Sequence, residues 1–196
     1  ALFHFGAHRH VAVDMAAQGL AMTAPIAGQA YWDYYRLRDL APKEMAHCIK
    51  LLEVEKQNVG RELVKDIRQG RIGVIYADGN MGPDGHHVEE GGVAVTLCDH
   101  PIQVKAGIAR IAQGFSLPIL PIFVRRNDLQ VTQSASHIHM GKLIKAADRR
   151  DLKSGKVNKE GNIQEIMQDL YLQLGEEIKR DPASWEFALC FHRWLK

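Results

Sequence analysis

A histidine near the start of the chain is the first candidate for chemistry. His4 is followed by a phenylalanine and Gly6, and the segment stands where a short apolar stretch ends and a helical pattern begins. Strand-to-helix turns are where α/β folds place many reactive side chains. An imidazole, with an ordinary pKa of about 6.5, can remove a proton from a hydroxyl group at neutral pH. His4 is therefore a candidate general base, and a capping or packing histidine is the alternative.

The same stretch also allows a metal-site interpretation. His8 and His10 follow His4 closely, and Asp14 stands about one helical turn further along. Imidazole and carboxylate groups are common zinc ligands. A metal-dependent hydrolase that uses these three histidines and Asp14 is therefore one hypothesis. Neither a cysteine nor a further acid shows ligand spacing with them, so we assign no metal.

A second candidate combines an acid with a glycine-rich stretch. Asp78 follows the apolar run 72–76, and Gly79 and Asn80 begin a segment with five glycines and one proline between positions 77 and 92. Backbone without side chains can approach a polar ligand closely. The segment lacks the Lys-Ser/Thr ending of a phosphate-binding loop, which argues against a nucleotide site. A surface turn with a solvated aspartate is the alternative.

Alternating helices and short apolar strands must position these groups. Apolar spacing of three and four residues predicts helices over 7–20, 42–52, 59–69 and 163–178, while 104–112 is amphipathic. Short apolar runs predict strands over 20–26, 72–76, 93–97, 117–124 and 129–138, and 148–161 is expected to be a charged surface loop. Pro118 and Pro121 within one run indicate a sheet edge or a bulge. The pattern predicts one α/β domain over residues 1–196.

Composition excludes several classes of protein. With 196 residues and 46% hydrophobic residues, the chain can bury a sizeable core. Its net charge of +2 is too balanced for a general nucleic-acid binder. No apolar run approaches the ~20 residues of a membrane span. Three widely spaced cysteines (Cys48, Cys98 and Cys190) indicate neither a disulfide framework nor a Cys-x-x-Cys metal site.

Four blocks, in this order, resemble the lysophospholipid acyltransferase superfamily, and above all its late lipid A acyltransferase branch. The turn at His4 and Gly6 is similar to the family's His-Phe-Gly opening, and Asp78-Gly79 stands where relatives have Pro-Glu-Gly or Pro-Asp-Gln. The stretches 107–112 and 117–126 resemble the helix and proline-containing strand that follow, and 182–186 and 191–196 resemble the tryptophan-containing finish. The resemblance implies a glycerol-3-phosphate acyltransferase-like α/β fold, in which helices flank a mixed central sheet.

The resemblance also implies a mechanism, with one departure. In the family the histidine deprotonates an acceptor hydroxyl, which attacks an acyl thioester, and an acid five positions later orients the ring. This chain has Arg9 at that position. A cation there disfavours the imidazolium that the reaction forms. Three outcomes stay open: His4 works with Asp78 or Asp14, it works alone and slowly, or the chain is a catalytically impaired homologue that binds acyl groups or their carrier.

The implied donor is an acyl thioester of acyl carrier protein or coenzyme A, and the implied acceptor is a hydroxyl of a lipid or glycolipid, with no cofactor. Arg125 offers a cation for a phosphate or an acidic carrier surface. We expect a cytoplasmic location, with a peripheral contact at the inner membrane as one site of action, and a chain without the family's N-terminal membrane helix. The residues expected to bind substrate are Gly6, Asp78, Gly79, Asn80, Arg110 and Arg125.

Overall fold

Two compact units make up the structure. The computed structural model describes residues 1–6, 8–26, 42–78, 92–126, 136–145, 159–189 and 191. The larger unit comprises Ala1–Gly6 and Tyr76–Lys196, and the smaller unit comprises Ala7–Ile75. Within the described ranges, no helix is long and apolar enough to cross a membrane.

The smaller unit is built around a three-stranded parallel sheet. Its strands are β1 (Met22–Ile26), β2 (Ile49–Glu53) and β3 (Ile72–Gly73), in the order β2-β1-β3. Met22 is opposite Ile49 on one side and Ile72 on the other. The helices among its described residues are α1 (Val11–Ala17), which follows a 3-10 turn at His8–His10, α2 (Lys43–Ala46) and α3 (Val59–Arg68). The predicted helix 59–69 and strand 20–26 are therefore confirmed.

A buried polar network ties α3 to this sheet. Asp66 of α3 accepts hydrogen bonds from the Thr23 hydroxyl at 2.9 Å and from the Lys50 ammonium at 3.0 Å. Arg71 donates to the Thr23 hydroxyl at 2.9 Å and to main-chain carbonyls at the starts of β1 and β2. Burial alone would raise the pKa of Asp66, but the bonds from Lys50 and Thr23 and the charge of Arg71 hold it below its ordinary value of 3.8.

The described residues of the larger unit form three antiparallel strand pairs and two α-helices. Strands β4 (Gly92–Leu97) and β5 (His100–Lys105) form a hairpin, followed by α4 (Gly107–Gly114). Strand β6 (Pro118–Ile119) pairs with β9 (Ile144–Lys145), and β7 (Ile122–Arg126) pairs with β8 (Ser136–Met140). The chain continues in α5 (Lys159–Arg180) and a 3-10 turn at Pro182–Ser184. The run 117–124 is interrupted at Leu120 and Pro121, between β6 and β7, whereas Pro118 lies within β6.

The long helix α5 carries the core of the larger unit. Its buried face consists of Ile163, Ile166, Met167, Leu170, Tyr171 and Leu174. This face packs against β4 and α4. The Gln168 side chain donates to the Thr96 carbonyl and accepts from the Thr96 amide, which fixes α5 to β4 at one register. The helix predicted over 163–178 is confirmed, and Pro182 follows its end.

Three predicted elements need correction. The helix over 42–52 is wrong in its second half, since Ile49 and Leu52 bury their side chains in a strand paired with β1. The amphipathic stretch 104–112 covers the end of β5 and the start of α4. The strand over 72–76 is shorter than predicted, and Ile72 is exposed rather than covered on both faces.

Two further predictions are only partly described. Of the predicted strand 129–138, residues 136–138 are described and lie in β8, which continues to Met140. Of the predicted loop 148–161, residues 159–161 are described and begin α5. The described residues combine helices with parallel and antiparallel sheets, so the α/β class is confirmed.

Candidate active site

The first five residues form a largely buried segment in the larger unit. Leu2 makes parallel bridges to Tyr76 and to Ile122. Phe3 and Phe5 are fully buried, and both rings pack against Phe123 at centroid distances of 5.0 and 6.1 Å. His4 lies at a bend between them, which the Phe5 amide closes by donating to the Phe3 carbonyl at 2.7 Å. Its ring is less buried than those of its two neighbours, and 21% of its side chain is exposed.

The ring of His4 meets the carboxylate of Asp78. Nδ1 of His4 lies 2.8 Å from Oδ1 of Asp78, a hydrogen-bond distance. The main-chain amide of His4 also donates to both carboxylate oxygens, at 3.2 and 3.1 Å. Asp78 itself is fully buried. Of the two acids that the sequence left open as partners, these contacts bring Asp78 to His4.

This contact determines the tautomer of the His4 imidazole. An ionised carboxylate only accepts hydrogen bonds, so Nδ1 of His4 carries the proton toward Asp78. In the neutral ring the lone pair then resides on Nε2. A histidine held in this tautomer by a carboxylate can take a proton from a hydroxyl on its Nε2 side and share the resulting charge with its partner.

The chain that follows α5 closes the site from another side. The indole nitrogen of Trp185 donates to Oδ2 of Asp78 at 3.1 Å. The Glu186 amide donates to the His4 carbonyl at 2.9 Å, and Trp185 forms an antiparallel bridge with Phe5. The segment 184–187 thus holds both members of the pair, one through its side chain and one through its backbone.

A buried tyrosine supports Asp78 from α5. The Tyr171 hydroxyl donates to the carbonyl of Ala77 at 3.1 Å. Burial, and secondarily the charge of Asp78, raise the pKa of Tyr171 well above its ordinary value. Tyr171 is therefore a neutral donor at neutral pH, and it anchors the residue next to Asp78.

Two aromatic rings flank the imidazole. The Tyr76 ring lies 4.4 Å from the His4 ring, centroid to centroid, and the Phe187 ring lies 5.0 Å from it. Phe187 is buried, whereas Tyr76 is half-buried. The apolar walls limit the rotation of the ring and reduce the water around it, which strengthens its interaction with Asp78.

Gly6 has a structural reason to be glycine. Its φ of +56° lies in the left-handed region, and a Cβ there would overlap the carbonyl oxygen of Val124. Its amide donates to the carbonyl of Ser184 at 2.7 Å. This amide is therefore engaged in a main-chain hydrogen bond, and a substrate contact by Gly6 stays a prediction.

The remaining predicted site residues have different outcomes. Arg9 belongs to the 3-10 turn His8–His10, but its side chain lies outside the described part of the structure, as do Gly79 and Asn80. Arg110 lies exposed on α4. Arg125 is bound in a bidentate ion pair with the buried Glu177, with both bonds at 2.6 Å. Substrate contacts by these residues stay predictions.

The metal-site interpretation gains no support from the geometry. Within the residues that the structure describes, no group of three or more histidine, cysteine, aspartate or glutamate side chains is placed to hold a metal ion. The hypothesis of a hydrolase that uses His4, His8 and His10 therefore has no observation in its favour.

Three residues around the His4–Asp78 pair had no predicted role. Tyr171 falls on the apolar face of the helix predicted over 163–178, where a tyrosine is a sign of a buried hydrogen bond. Trp185 and Phe187 lie more than 100 residues after Asp78, and Trp185 stood only within the block that resembles the family's finish. Nothing in local spacing connects them to His4.

An α/β fold with an imidazole paired to a buried carboxylate is the arrangement of enzymes that use a general base. Residues 49–196, about three-quarters of the chain, match the model of the bacterial lipid A biosynthesis acyltransferase family. The chain belongs to this family, and it is an acyltransferase. The match starts after His4, so the role of His4 depends on the geometry above. No match is found among curated proteins.

Proposed function

We propose that this acyltransferase moves a fatty acyl group from an acyl thioester to a hydroxyl of a lipid or glycolipid, with His4 as general base and Asp78 as its orienting acid. The hydrogen bond of 2.8 Å between Nδ1 of His4 and Oδ1 of Asp78 carries the proposal. Asp78 supplies from a distant part of the chain the carboxylate that position 9 lacks.

The reaction follows from this pair. Nε2 of His4 takes the proton of the acceptor hydroxyl while the hydroxyl oxygen attacks the thioester carbonyl carbon. The carbonyl electrons move to oxygen, and Asp78 stabilises the imidazolium. When the oxyanion collapses, the carbon–sulfur bond breaks and the thiolate leaves. It receives the proton from the imidazolium, and the products are an ester and a free thiol.

Charge on the tetrahedral intermediate needs a hydrogen-bond donor. The amide of Gly6 is bound to Ser184, so the amide of Gly79, next to the orienting acid, is our remaining candidate. Arg110 and Arg125 stay candidates for the phosphate of an acyl carrier or of the acceptor. Of the two, Arg110 is the more exposed, since Arg125 is paired with Glu177.

The presence of an acid beside His4 weakens the main alternative. A catalytically impaired, acyl-binding homologue was suggested by Arg9, because a base without its acid works poorly. Asp78 removes that reason. Two further proposals rest on the resemblance to the family alone. The acyl group is carried by acyl carrier protein or coenzyme A, and the enzyme acts in the cytoplasm, in peripheral contact with the membrane.

The test uses the full chain with a thioester and a mixture of acceptors. Dodecanoyl-acyl carrier protein and dodecanoyl-coenzyme A are incubated in turn with a bacterial lipid extract, and thiol release and acylated products are followed by mass spectrometry. We expect turnover in the wild type and a loss of about 10²- to 10⁴-fold in His4→Ala, the contribution of a general base. Equal turnover by both proteins contradicts the proposal. Lys105→Ala, an exposed position on β5, serves as a surface control.

A further inference from the structure

The contact between Trp185 and Asp78 has a consequence for the reaction. We infer that Trp185 is a positioning residue: its indole N–H holds the carboxylate of Asp78 in the orientation that directs Oδ1 to Nδ1 of His4. The inference rests on the proposed function of the His4–Asp78 pair and assigns to the C-terminal part of the chain a role in the reaction.

The carboxylate has its hydrogen bonds divided between its two oxygens. Oδ1 faces Nδ1 of His4 at 2.8 Å, while Oδ2 accepts from the indole of Trp185 at 3.1 Å. The His4 amide reaches both oxygens at longer distances of 3.2 and 3.1 Å. The two oxygens of a carboxylate are chemically equivalent, so what matters for the ring is the plane in which the carboxylate lies. Among the contacts of the described residues, the indole is the side-chain donor that anchors the oxygen turned away from the ring, and it thereby fixes this plane.

The backbone around Trp185 is locked to the segment that carries His4. The Ser184 carbonyl accepts from the Gly6 amide at 2.7 Å, and the Glu186 amide donates to the His4 carbonyl at 2.9 Å. Trp185 lies between these two bonds and is 97% buried. Its indole therefore has little freedom to move away from Asp78, and it is too enclosed to bind substrate itself.

The turn before Trp185 is built to deliver it there. Pro182 begins a 3-10 turn directly after α5, and the Ser184 hydroxyl donates to the Asp181 carboxylate. This bond joins two side chains across the turn. The path from the end of α5 to the indole is thus short and constrained, which is what a positioning residue requires.

The loss of one orienting hydrogen bond has a measurable effect. Without the indole N–H, the plane of the Asp78 carboxylate can turn, and a carboxylate oxygen lies in line with Nδ1 of His4 for less of the time. We expect kcat to fall about 10- to 100-fold, the range for loss of a partner that orients a functional ligand. KM should change less than about twofold, because Trp185 is shielded from substrate.

The experiment removes the N–H in two ways. Trp185→Phe shortens the side chain, and replacement of Trp185 by β-(3-benzothienyl)alanine keeps its shape while it lacks the donor. Leu97→Val is the matched control, because it removes one buried methylene of the larger unit and touches neither His4 nor Asp78 in the contacts described. Each variant is assayed with dodecanoyl-coenzyme A, its thermal unfolding is measured, and the downfield proton resonance of the His4 Nδ1–H is recorded.

The results separate this inference from the proposed function. The inference is supported if both Trp185 replacements lower kcat at unchanged KM and shift the Nδ1–H resonance, while Leu97→Val lowers only the melting temperature. It is overturned if the folded benzothienylalanine protein keeps wild-type kcat and the wild-type resonance while His4→Ala has lost activity. Should His4→Ala keep full activity, the proposed base is wrong, and the resonance alone then decides whether Trp185 positions Asp78.

Discussion

Replacement of Gly6 by alanine tests how tightly the turn after His4 is built. The φ of +56° costs an L-residue about 1–2 kcal/mol. The new methyl group would also overlap the Val124 carbonyl oxygen and lie 3.0 Å from its carbonyl carbon, and relief of such a clash costs about 1–3 kcal/mol. Because the obstacle is backbone, it cannot rotate away. We expect Gly6→Ala to lower the free energy of unfolding by about 2–5 kcal/mol.

Urea unfolding followed by tryptophan fluorescence measures this loss. At an m-value of about 2 kcal/mol/M, the midpoint should fall by about 1–2.5 M. Gly107→Ala is the control in the same unit: a methyl group there would meet no described atom within 4 Å, and alanine is the better helix former. It should leave stability unchanged or raise it by up to about 1 kcal/mol. Equal midpoints for the two variants would refute the argument.

Two further predictions concern buried hydrogen bonds. Asp66→Asn should destabilise the protein by about 1–3 kcal/mol at pH 7, whereas Glu62→Gln, on the exposed partner of the same Lys50, should cost under about 0.5 kcal/mol. Because the folded-state pKa of Asp66 lies below its unfolded value, this stabilisation is present above pH of about 4 and decreases as the pH falls toward the folded value. A difference between the two variants that does not shrink between pH 7 and pH 3 in chemical unfolding contradicts this. Tyr171→Phe should lower the free energy of unfolding by about 1–2 kcal/mol, because the hydrogen bond to the Ala77 carbonyl is lost. Thermal unfolding should show the same loss at pH 6 and pH 9, since the phenol is neutral at both. A loss that is present only at pH 9 is the contrary result.

The spacing of apolar residues predicted helices and strands correctly where a single helical or strand period continued over the whole element. The apolar spacing over 163–178 predicted α5, because a single face of that helix is buried against β4 and α4. The pattern failed over 42–52, where a proline and an apolar run indicated one helix. Pairing of Ile49 and its neighbours with β1 decided for a strand there, and such non-local pairing leaves no local signal.

The candidate site was predicted in part for the same reason. His4 and Asp78 were each identified by residue type and position at the end of an apolar stretch. Their bond spans 74 residues, so the sequence could only leave Asp78 and Asp14 open as partners. The indole of Trp185 reaches Asp78 over 107 residues, and only the fold reveals that contact.

The most direct test of the account is a comparison of Asp78→Asn with Asp14→Asn in thioester turnover. The amide at position 78 keeps the size of the carboxylate but removes its charge and its hold on the His4 tautomer. Asp14 lies exposed on α1. The account predicts that Asp78→Asn loses about 10²- to 10⁴-fold in kcat with an intact fold, while Asp14→Asn stays within twofold of the wild type. Wild-type kcat in a folded Asp78→Asn protein would contradict it.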